Sequence, residues 1–304
     1  MFFVYLSAKR DYPHNDDMTY RTHTLNLGGR LLDLTTPCVM GILNVTPDSF
    51  YADSRTTETE AIARRARQIR DEGAALIDIG AYSSRPGAAD VTPAEEMERL
   101  RRGLAVVRRE APELPVSVDT FRADVARMAV EEFGVEMIND IAGGDLDGDM
   151  FSTVARLGVA YVLMHMRGTP QAMQCAPQYN DVVCDVMQYL SPRVQRLHAL
   201  GVKDVVVDPG FGFGKTLEDN YTLLAHLEEL TALGLPVLVG VSRKSMVYRL
   251  VGGGPADALN GTTALHTAAL MKGAAILRVH DVKAAVEAVT IVRALQNAKH
   301  DDHA

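Results

Sequence analysis

Short apolar runs rich in valine and isoleucine recur along the chain, and most of them end in a polar side chain. The runs lie near 38–44, 75–80, 115–119, 135–139, 159–164, 204–208, 236–241 and 275–279. Their residues do not alternate between apolar and polar, which is typical of parallel strands that are covered on both faces. The pattern therefore predicts eight parallel β-strands.

Between these runs, apolar residues recur at helical spacing. The clearest helical stretches are 58–72, 93–109, 122–133, 182–200, 220–233, 261–272 and 282–298. Eight strand–helix units joined by right-handed crossovers close into an α/β (β/α)8 TIM barrel. The same alternation also permits an open doubly wound sheet, but the number of units favours the barrel.

The first residues of the chain do not follow this alternation. Residues 22–35 place Gly28-Gly29 between two short apolar segments, which predicts a β-hairpin. We therefore expect an N-terminal extension and hairpin over 1–36, with the first 20 or so residues poorly ordered. A single barrel domain is expected over 37–300.

Composition excludes several classes of protein. The formal net charge of −8 argues against a general nucleic-acid surface, which would require a basic stripe. No apolar run approaches the roughly 20 residues that cross a bilayer. The three cysteines have no paired spacing, which is typical of reduced thiols. We therefore expect a cytoplasmic enzyme with no nucleic-acid or membrane partner.

Polar residues at or just after the strand ends predict an active site, because the carboxyl ends of all barrel strands meet at one rim. They are Asn44, Asp119, Asn139, Asp208, Lys244, Arg278 and His280. Structural alternatives exist for single residues: Asp119 could cap a helix and His165 could be a buried core histidine. Lys244 could be a surface cation, and Arg278 could pair with Asp281. Since these alternatives are independent, their joint occurrence at one rim favours a functional site.

Two groups of these side chains indicate the ligand. One group offers acceptors, an amide and a cation, and comprises Asp119, Asn139, Asp208 and Lys244. It matches the donor and acceptor edge of a flat heterocycle such as an aminopyrimidinone. The other group, Arg278, His280 and Asn44, suits phosphate oxygens and a hard cation such as Mg²⁺. A heterocycle that carries a diphosphate fits both groups.

The glycine-rich segment 210–216 imitates a nucleotide phosphate loop. Only three residues separate its outer glycines, Gly210 and Gly214, where the phosphate loop has four. We therefore reject a nucleoside triphosphate site. The glycines are better explained by a close approach of the backbone and Phe213 to a flat ligand.

An ordered set of motifs resembles the dihydropteroate synthases. Residues 41–50 read GILNVTPDSF and residues 84–87 read SRPG. VDT at 118–120, NDI at 139–141, MHM at 164–166, DPG at 208–210, SRK at 242–244 and RVHD at 278–281 follow in the family's order. The resemblance covers about residues 38–290. Each motif is weak evidence alone, whereas the ordered set is specific.

The resemblance implies condensation of 6-hydroxymethyl-7,8-dihydropterin diphosphate with para-aminobenzoate, with Mg²⁺ as cofactor and usually in a homodimer. It implies a pterin pocket of Asp119, Asn139, Asp208 and Lys244, lined by Ile141, Met164 and Phe213. Asn44 would contact magnesium, while Arg278 and His280 would hold the diphosphate. Phe50, Ser84, Arg85, Pro86 and Ser242 would shape the para-aminobenzoate site, which sulfonamides also occupy in this family. The expected catalytic residues are Lys244, Arg278 and Asp119.

The chain departs from the family in the loop before Arg85. The family commonly has Gly-Glu-Ser-Thr where this chain has Ala81-Tyr82-Ser83-Ser84, so no role is carried over to Tyr82. The loop after Phe50 also differs from the usual pattern. A pterin-binding module of a corrinoid-dependent methyltransferase is the main alternative, but it needs no diphosphate site. A Schiff-base aldolase that uses Lys244 is another. The 278–280 segment and the first loop favour the synthase.

Overall fold

The structure is a computed structural model that describes residues 23–46, 55–82, 91–168 and 178–301. It begins with a hairpin of strands β1 (Thr24–Leu27) and β2 (Arg30–Asp33). The barrel strands are β3 (Cys38–Asn44), β4 (Leu76–Gly80), β5 (Val116–Asp119), β6 (Met137–Asp140), β7 (Ala160–Met164), β8 (Val205–Asp208), β9 (Val237–Val239) and β10 (Ala274–Val279). Within the described ranges these eight strands form a closed barrel, because β10 pairs with both β9 and β3. The predicted barrel is confirmed, and the open sheet is wrong.

Helices cover the outside of the barrel. They are α1 (Arg55–Asp71), α2 (Pro93–Glu110), α3 (Ala123–Phe133), α4 (Met150–Leu157), α5 (Val182–Ala199), α6 (Leu217–Ala225), α7 (Ser245–Val251), α8 (Leu259–Met271) and α9 (Val282–Asp301). No helix in the described part of the chain combines the length and apolar character needed to cross a membrane.

The helix predicted over 220–233 differs in the structure. A capping box of Thr216 and Asp219 starts α6 at Leu217, before the predicted start. The α-helix then ends at Ala225, and a separate 3-10 helix covers Leu227–Leu233. The prediction was therefore wrong in treating the stretch as one continuous helix.

Side chains alternate between the two faces of each barrel strand. On β4, Ile77 and Ile79 belong to the large apolar core between strands and helices. Leu76 faces the barrel interior, where it packs with inward side chains of other strands. Asp78 takes the next inward position, so the interior changes from apolar to charged toward the carboxyl ends of the strands.

The hairpin closes the amino end of the barrel. Leu25, Leu27 and Leu34 join the apolar cluster that fills the lower barrel interior, and they are at most 5% exposed. The backbone N–H of Asn26 also donates to the Asp204 carboxylate at 2.8 Å. The predicted hairpin is confirmed, and it leaves the opposite rim as the end that can admit a ligand. A domain boundary between 36 and 37 stays a prediction, and residues 1–22 lie outside the described residues.

Candidate active site

The carboxyl ends of the strands bring the predicted polar residues together. Asn44, Asp119 and Asp208 are the last residues of β3, β5 and β8, while Asn139 and Arg278 are next to last in β6 and β10. The register places Asp119 beside Asn139, and Asp208 beside Met164. Lys244 follows β9 and directly precedes α7. The convergence that the sequence predicted is therefore present at one rim.

Arg278 is the centre of a charged network in the barrel interior. Its Nε donates to Oδ2 of Asp78 at 2.6 Å, and its Nη2 donates to Oδ2 of Asp119 at 2.7 Å. Burial alone would lower the pKa of Arg278, but these two carboxylates raise it above its ordinary value. The alternative in which Arg278 pairs with Asp281 is wrong, since Asp281 accepts two hydrogen bonds from Arg243.

Asp119 is not a helix cap. The N-cap position of α3 is occupied by Arg122, and the helix has no capping hydrogen bond from the side chain at that position. Burial, together with the nearby carboxylates of Asp78 and Glu96, raises the pKa of Asp119 to about 7, although Arg278 opposes the shift. Its carboxyl group can therefore change protonation state when a ligand enters the site.

Asp208 and Lys244 form a second pair of charges. Lys244 is partly buried, its Nζ donates to the backbone oxygen of Phe211 at 2.5 Å, and it lies 4.6 Å from the Phe213 ring centroid. It is therefore not a surface cation. Burial lowers the pKa of Lys244 to about 8, while Asp208 opposes this shift. Burial also raises the pKa of Asp208, and Lys244 partly offsets that effect.

An apolar wall stands beside these charges. Ile141, Met164 and Met166 are buried together, and Phe121 and Phe213 pack against them. The predicted lining residues Ile141, Met164 and Phe213 thus lie in one cluster. A flat ring placed against this wall would have its polar edge within reach of the charged side chains.

His280 and Ser242 lie together after β10 and β9. The hydroxyl of Ser242 is 3.1 Å from Nδ1 of His280 and accepts from its backbone N–H at 3.1 Å. Burial and the charge of Arg278 lower the pKa of His280 to about 4. Its imidazole is therefore neutral near pH 7 and offers an N–H donor, so Arg278 is the cation of this pair. Arg65 stabilises the loop after β10, because its Nη2 donates to the His280 backbone oxygen at 2.5 Å.

The predicted residues Phe50, Ser84, Arg85 and Pro86 lie outside the described residues, so their roles stay predictions. The described neighbour Tyr82 packs edge-on against Phe121, with ring centroids 5.1 Å apart. Arg122 lies over both rings, 5.5 Å from the centroid of Tyr82 and 4.8 Å from that of Phe121. The residue that departs from the family pattern thus joins the aromatic side of the wall.

Sequence reasoning missed the buried charges of Asp78 and Lys215. Asp78 interrupts an otherwise apolar strand, and that interruption was the available signal. Lys215 Nζ lies 2.9 Å from Nδ1 of His165 and donates to the backbone oxygens of Gly210 and Phe213. It thereby holds the glycine-rich segment against the end of β7. His165 is 4% exposed and its pKa falls to about 2 through burial and the charge of Lys215, so the core-histidine alternative is correct.

We expect Lys215→Met to lower the free energy of unfolding by about 2–4 kcal/mol, because three acceptors lose their donor. Burial lowers the pKa of Lys215 from 10.5 to about 7. The unfolded chain therefore binds more protons than the folded chain between these values, so stability from this lysine rises with pH across that window. The difference in the free energy of unfolding between the wild type and Lys215→Met, measured by urea unfolding, should grow from pH 7 to pH 10.

A matched control is Lys272→Met, which removes a partly exposed ion pair with Glu228. Such a pair contributes about 0–1 kcal/mol, so this variant should stay near the wild type at every pH. A Lys215→Met deficit that did not change with pH would contradict the protonation assigned to Lys215.

Comparison with known proteins identifies the family. The sequence matches the profile of the family described as pterin binding enzyme over residues 40–280. It is 42% identical over 275 residues to dihydropteroate synthase from Escherichia coli K12, covering 90% of this chain and 96% of that protein. The chain belongs to the dihydropteroate synthase family. The resemblance of the sequence motifs to this family is thereby confirmed, and the chain is a transferase.

Solved structures of this family share the fold of the chain. The Yersinia pestis dihydropteroate synthase, in a complex with a sulfonamide drug, superposes with a TM-score of 0.82 at 42% identity, covering 90% of this chain and all 100% of that one. The Xanthomonas albilineans dihydropteroate synthase in complex with 7,8-dihydropteroate has a TM-score of 0.79 at 42% identity, covering 90% and 99%.

Proposed function

We propose that this chain is a dihydropteroate synthase of folate biosynthesis, which joins 6-hydroxymethyl-7,8-dihydropterin diphosphate to para-aminobenzoate. The observation that carries the proposal is the rim where two carboxylates hold Arg278, next to an acceptor-rich pocket with an apolar wall. Membership of the family and the product complex of the Xanthomonas relative support it.

The pterin site is proposed to use Asp208, Asn139 and Lys244 for the polar edge of the heterocycle. A carboxylate that accepts from an amino group and a ring N–H forms a paired interaction that offsets its desolvation. The face of the ring would lie against Met164 and Phe213, which belong to the apolar wall. Because both Asp208 and Lys244 are destabilised as ions by burial, ligand groups that pair with them would be bound strongly.

The leaving diphosphate is proposed to lie toward Arg278 and His280. Arg278 is cationic at any relevant pH, and its Nη1 makes no hydrogen bond with the described residues. This nitrogen can donate to a phosphate oxygen while Asp78 and Asp119 hold the other two. His280 would add a neutral N–H donor. Positioned donors of this kind stabilise the charge that develops on a leaving group.

Asn44 is the residue proposed to hold Mg²⁺. Its side chain makes no hydrogen bond with another described residue. No group of three His, Cys, Asp or Glu residues in the described ranges could hold a metal ion. One amide oxygen fits Mg²⁺, which keeps most of its waters and binds substrate phosphates directly. The bound ion would supply neutralisation of negative charge on the diphosphate.

In the proposed reaction the bond between the pterin methylene carbon and the diphosphate oxygen breaks, and its electron pair leaves with the diphosphate. The electron-rich dihydropterin delocalises the positive charge that remains. The nitrogen lone pair of para-aminobenzoate then forms the new C–N bond, and the proton that the nitrogen loses passes to solvent. No strong general base is needed, since an arylamine is largely neutral near pH 7.

The proposal is tested by mixing the purified chain with the pterin diphosphate, Mg²⁺ and para-aminobenzoate and measuring dihydropteroate by chromatography. Formation of dihydropteroate with release of one diphosphate is expected. If no product formed while methyltetrahydrofolate bound tightly, the corrinoid-associated pterin module would replace the synthase.

Removal of magnesium should slow turnover far more than it weakens pterin binding. The reason is that the ion is proposed to act on the leaving diphosphate and not on the heterocycle. We expect a chelator to lower kcat at least about tenfold, while the Kd for the pterin alcohol measured by calorimetry stays unchanged. A rate that did not respond to the chelator would remove Asn44 from its proposed role.

We also propose that the chain forms a homodimer in the cytoplasm. Large apolar side chains are exposed on the adjacent helices α7, α8 and α9: Leu250, Val251, Leu259, Met271, Ile291 and Leu295. Exposed apolar surface of this kind commonly marks an interface between subunits. The described cysteines Cys38 and Cys184 are free thiols, as expected in the cytoplasm. A single monomeric species in sedimentation velocity at micromolar concentration would contradict the dimer.

A further inference from the structure

Asp78 is a fully buried acidic residue in the barrel interior, directly below the site. Its exposure is 0%, and it lies in register with Ser117, one inward-facing position below the Gly80–Asp119 pair. The neighbouring inward residue on β6 in the same register is Met137, which belongs to the apolar cluster that fills the lower barrel interior. Asp78 therefore stands where the apolar interior ends and the ligand site begins.

The oxygen Oδ2 of Asp78 joins two residues of the proposed substrate site. It accepts from Nε of Arg278 at 2.6 Å and from Nδ2 of Asn139 at 3.1 Å. These partners lie on β10 and β6. Neither strand pairs with β4, so Asp78 links strands on both sides of its own that lie beyond its direct neighbours. The other oxygen, Oδ1, has no hydrogen-bond partner in the described structure.

The hydrogen bonds that Asp78 accepts fix which atoms of Asn139 and Arg278 remain available to the substrate. A carboxylate only accepts hydrogen bonds, so the Asn139 amide must turn its nitrogen toward Asp78, which leaves its oxygen for an N–H of the ligand. The guanidinium of Arg278 is held at Nε by Asp78 and at Nη2 by Asp119, which leaves Nη1 for a phosphate oxygen. One carboxylate thus orients both the heterocycle contact and the leaving-group contact.

Packing of the barrel interior does not by itself call for a carboxylate at this position. A buried ion pair is often no more stabilising than well-packed apolar residues of similar volume. The next inward residue on the same strand, Leu76, is apolar and completely buried. A charge placed at this depth is therefore better explained by the site above it than by packing.

We propose that Asp78 is a positioning residue of the synthase reaction, which holds Arg278 toward the diphosphate and Asn139 toward the pterin. This inference rests on the proposed function and extends it to a residue that touches neither substrate. Asp78 acts through its partners, so its loss should reduce turnover more than it reduces binding of the pterin alcohol, which lacks the diphosphate.

The test compares Asp78→Asn, which keeps the side-chain volume but removes the charge, with Ser117→Ala. Ser117 is buried in the same register position on β5, and its hydroxyl has no hydrogen-bond partner among the described residues, so it controls for changes to this layer of the interior. We expect Asp78→Asn to lower kcat by about 10- to 100-fold and to weaken inhibition by inorganic diphosphate. Ser117→Ala should keep wild-type kcat. The Kd of the pterin alcohol should rise at most about fivefold in Asp78→Asn.

A double-mutant cycle separates positioning from a general loss of structure. Because Asp78 acts on turnover through Arg278, Asp78→Asn should reduce kcat by less than about threefold when it is added to Arg278→Lys. Full additivity of the two effects on kcat would overturn the inference. Asp78→Glu is a second variant that retains the charge but shifts the oxygens, and positioning predicts a loss of kcat there as well. Wild-type kcat in a folded Asp78→Glu protein would also overturn it.

Different results would contradict the synthase function and the role of Asp78. If the wild-type chain forms no dihydropteroate, the proposed function fails. If the wild type is active and Asp78→Asn is equally active, only the role of Asp78 fails.

Discussion

Asp208→Ala should abolish measurable binding of the dihydropterin. The carboxylate is the proposed acceptor for the amino group and ring N–H of the heterocycle, and hydrogen bonds to a charged group contribute about 1.5–3 kcal/mol each. Losing two of them corresponds to a loss of affinity of at least about a hundredfold. The substitution also leaves Lys244 buried without its main counter-charge, so the pKa of Lys244 should fall further below its value of about 8.

Calorimetric titration with the pterin alcohol measures this effect without requiring turnover. Asp204→Ala is the matched control, because Asp204 directly precedes β8 at the amino end of the barrel, where its carboxylate accepts from the backbone N–H of the hairpin residue Asn26. It should retain wild-type affinity. Micromolar binding of the pterin by Asp208→Ala would refute the assignment of Asp208 to the heterocycle.

Arg278→Ala should reduce turnover by about a thousandfold, the scale on which one positioned donor at a developing charge contributes. The proposed donor to the diphosphate is then absent, and Asp78 and Asp119 face each other without the cation between them. Breaking a buried ion pair by removing one partner costs about 3–5 kcal/mol of stability. Thermal unfolding should therefore be measured beside kcat.

Arg108→Ala is the control for the loss of a partly buried arginine. Arg108 pairs with Glu136 at 2.9 Å near the start of β6, at the barrel end opposite the site. We expect this variant to lose some stability and to keep its kcat. For Arg278→Ala, the affinity for the pterin alcohol should stay within about threefold of wild type while inhibition by diphosphate is weakened. Equal losses for both ligands would move Arg278 out of the leaving-group site.

Local patterns were enough to predict the architecture and most of the rim. The apolar runs and the polar residues that end them, such as Asn44 and Asp208, can be read within a few neighbouring positions. Strand length and the alternation of strand and helix then place those ends on one rim. The motif order identified the family because each motif combines a strand end with the loop that follows it.

The pairing of charges could not be predicted in this way. Arg278 has an acidic neighbour in sequence, Asp281, yet its partners are Asp78 and Asp119, which are 200 and 159 positions away. Asp281 is instead held by Arg243. The prediction of one helix over 220–233 was wrong because the apolar spacing continues across the break between the α-helix and the 3-10 helix.

The amino-acid order alone determined the eight strand–helix units, the family and the residue types at the strand ends, because all three depend on local periodicity and short motifs. Tertiary structure decided which charges meet and which protonation state each favours. Closure of the barrel pairs β10 with β3 and thereby carries Arg278 to Asp78. Only that enclosure removes water from Asp119, Lys244 and His280, and desolvation is the main cause of their pKa shifts.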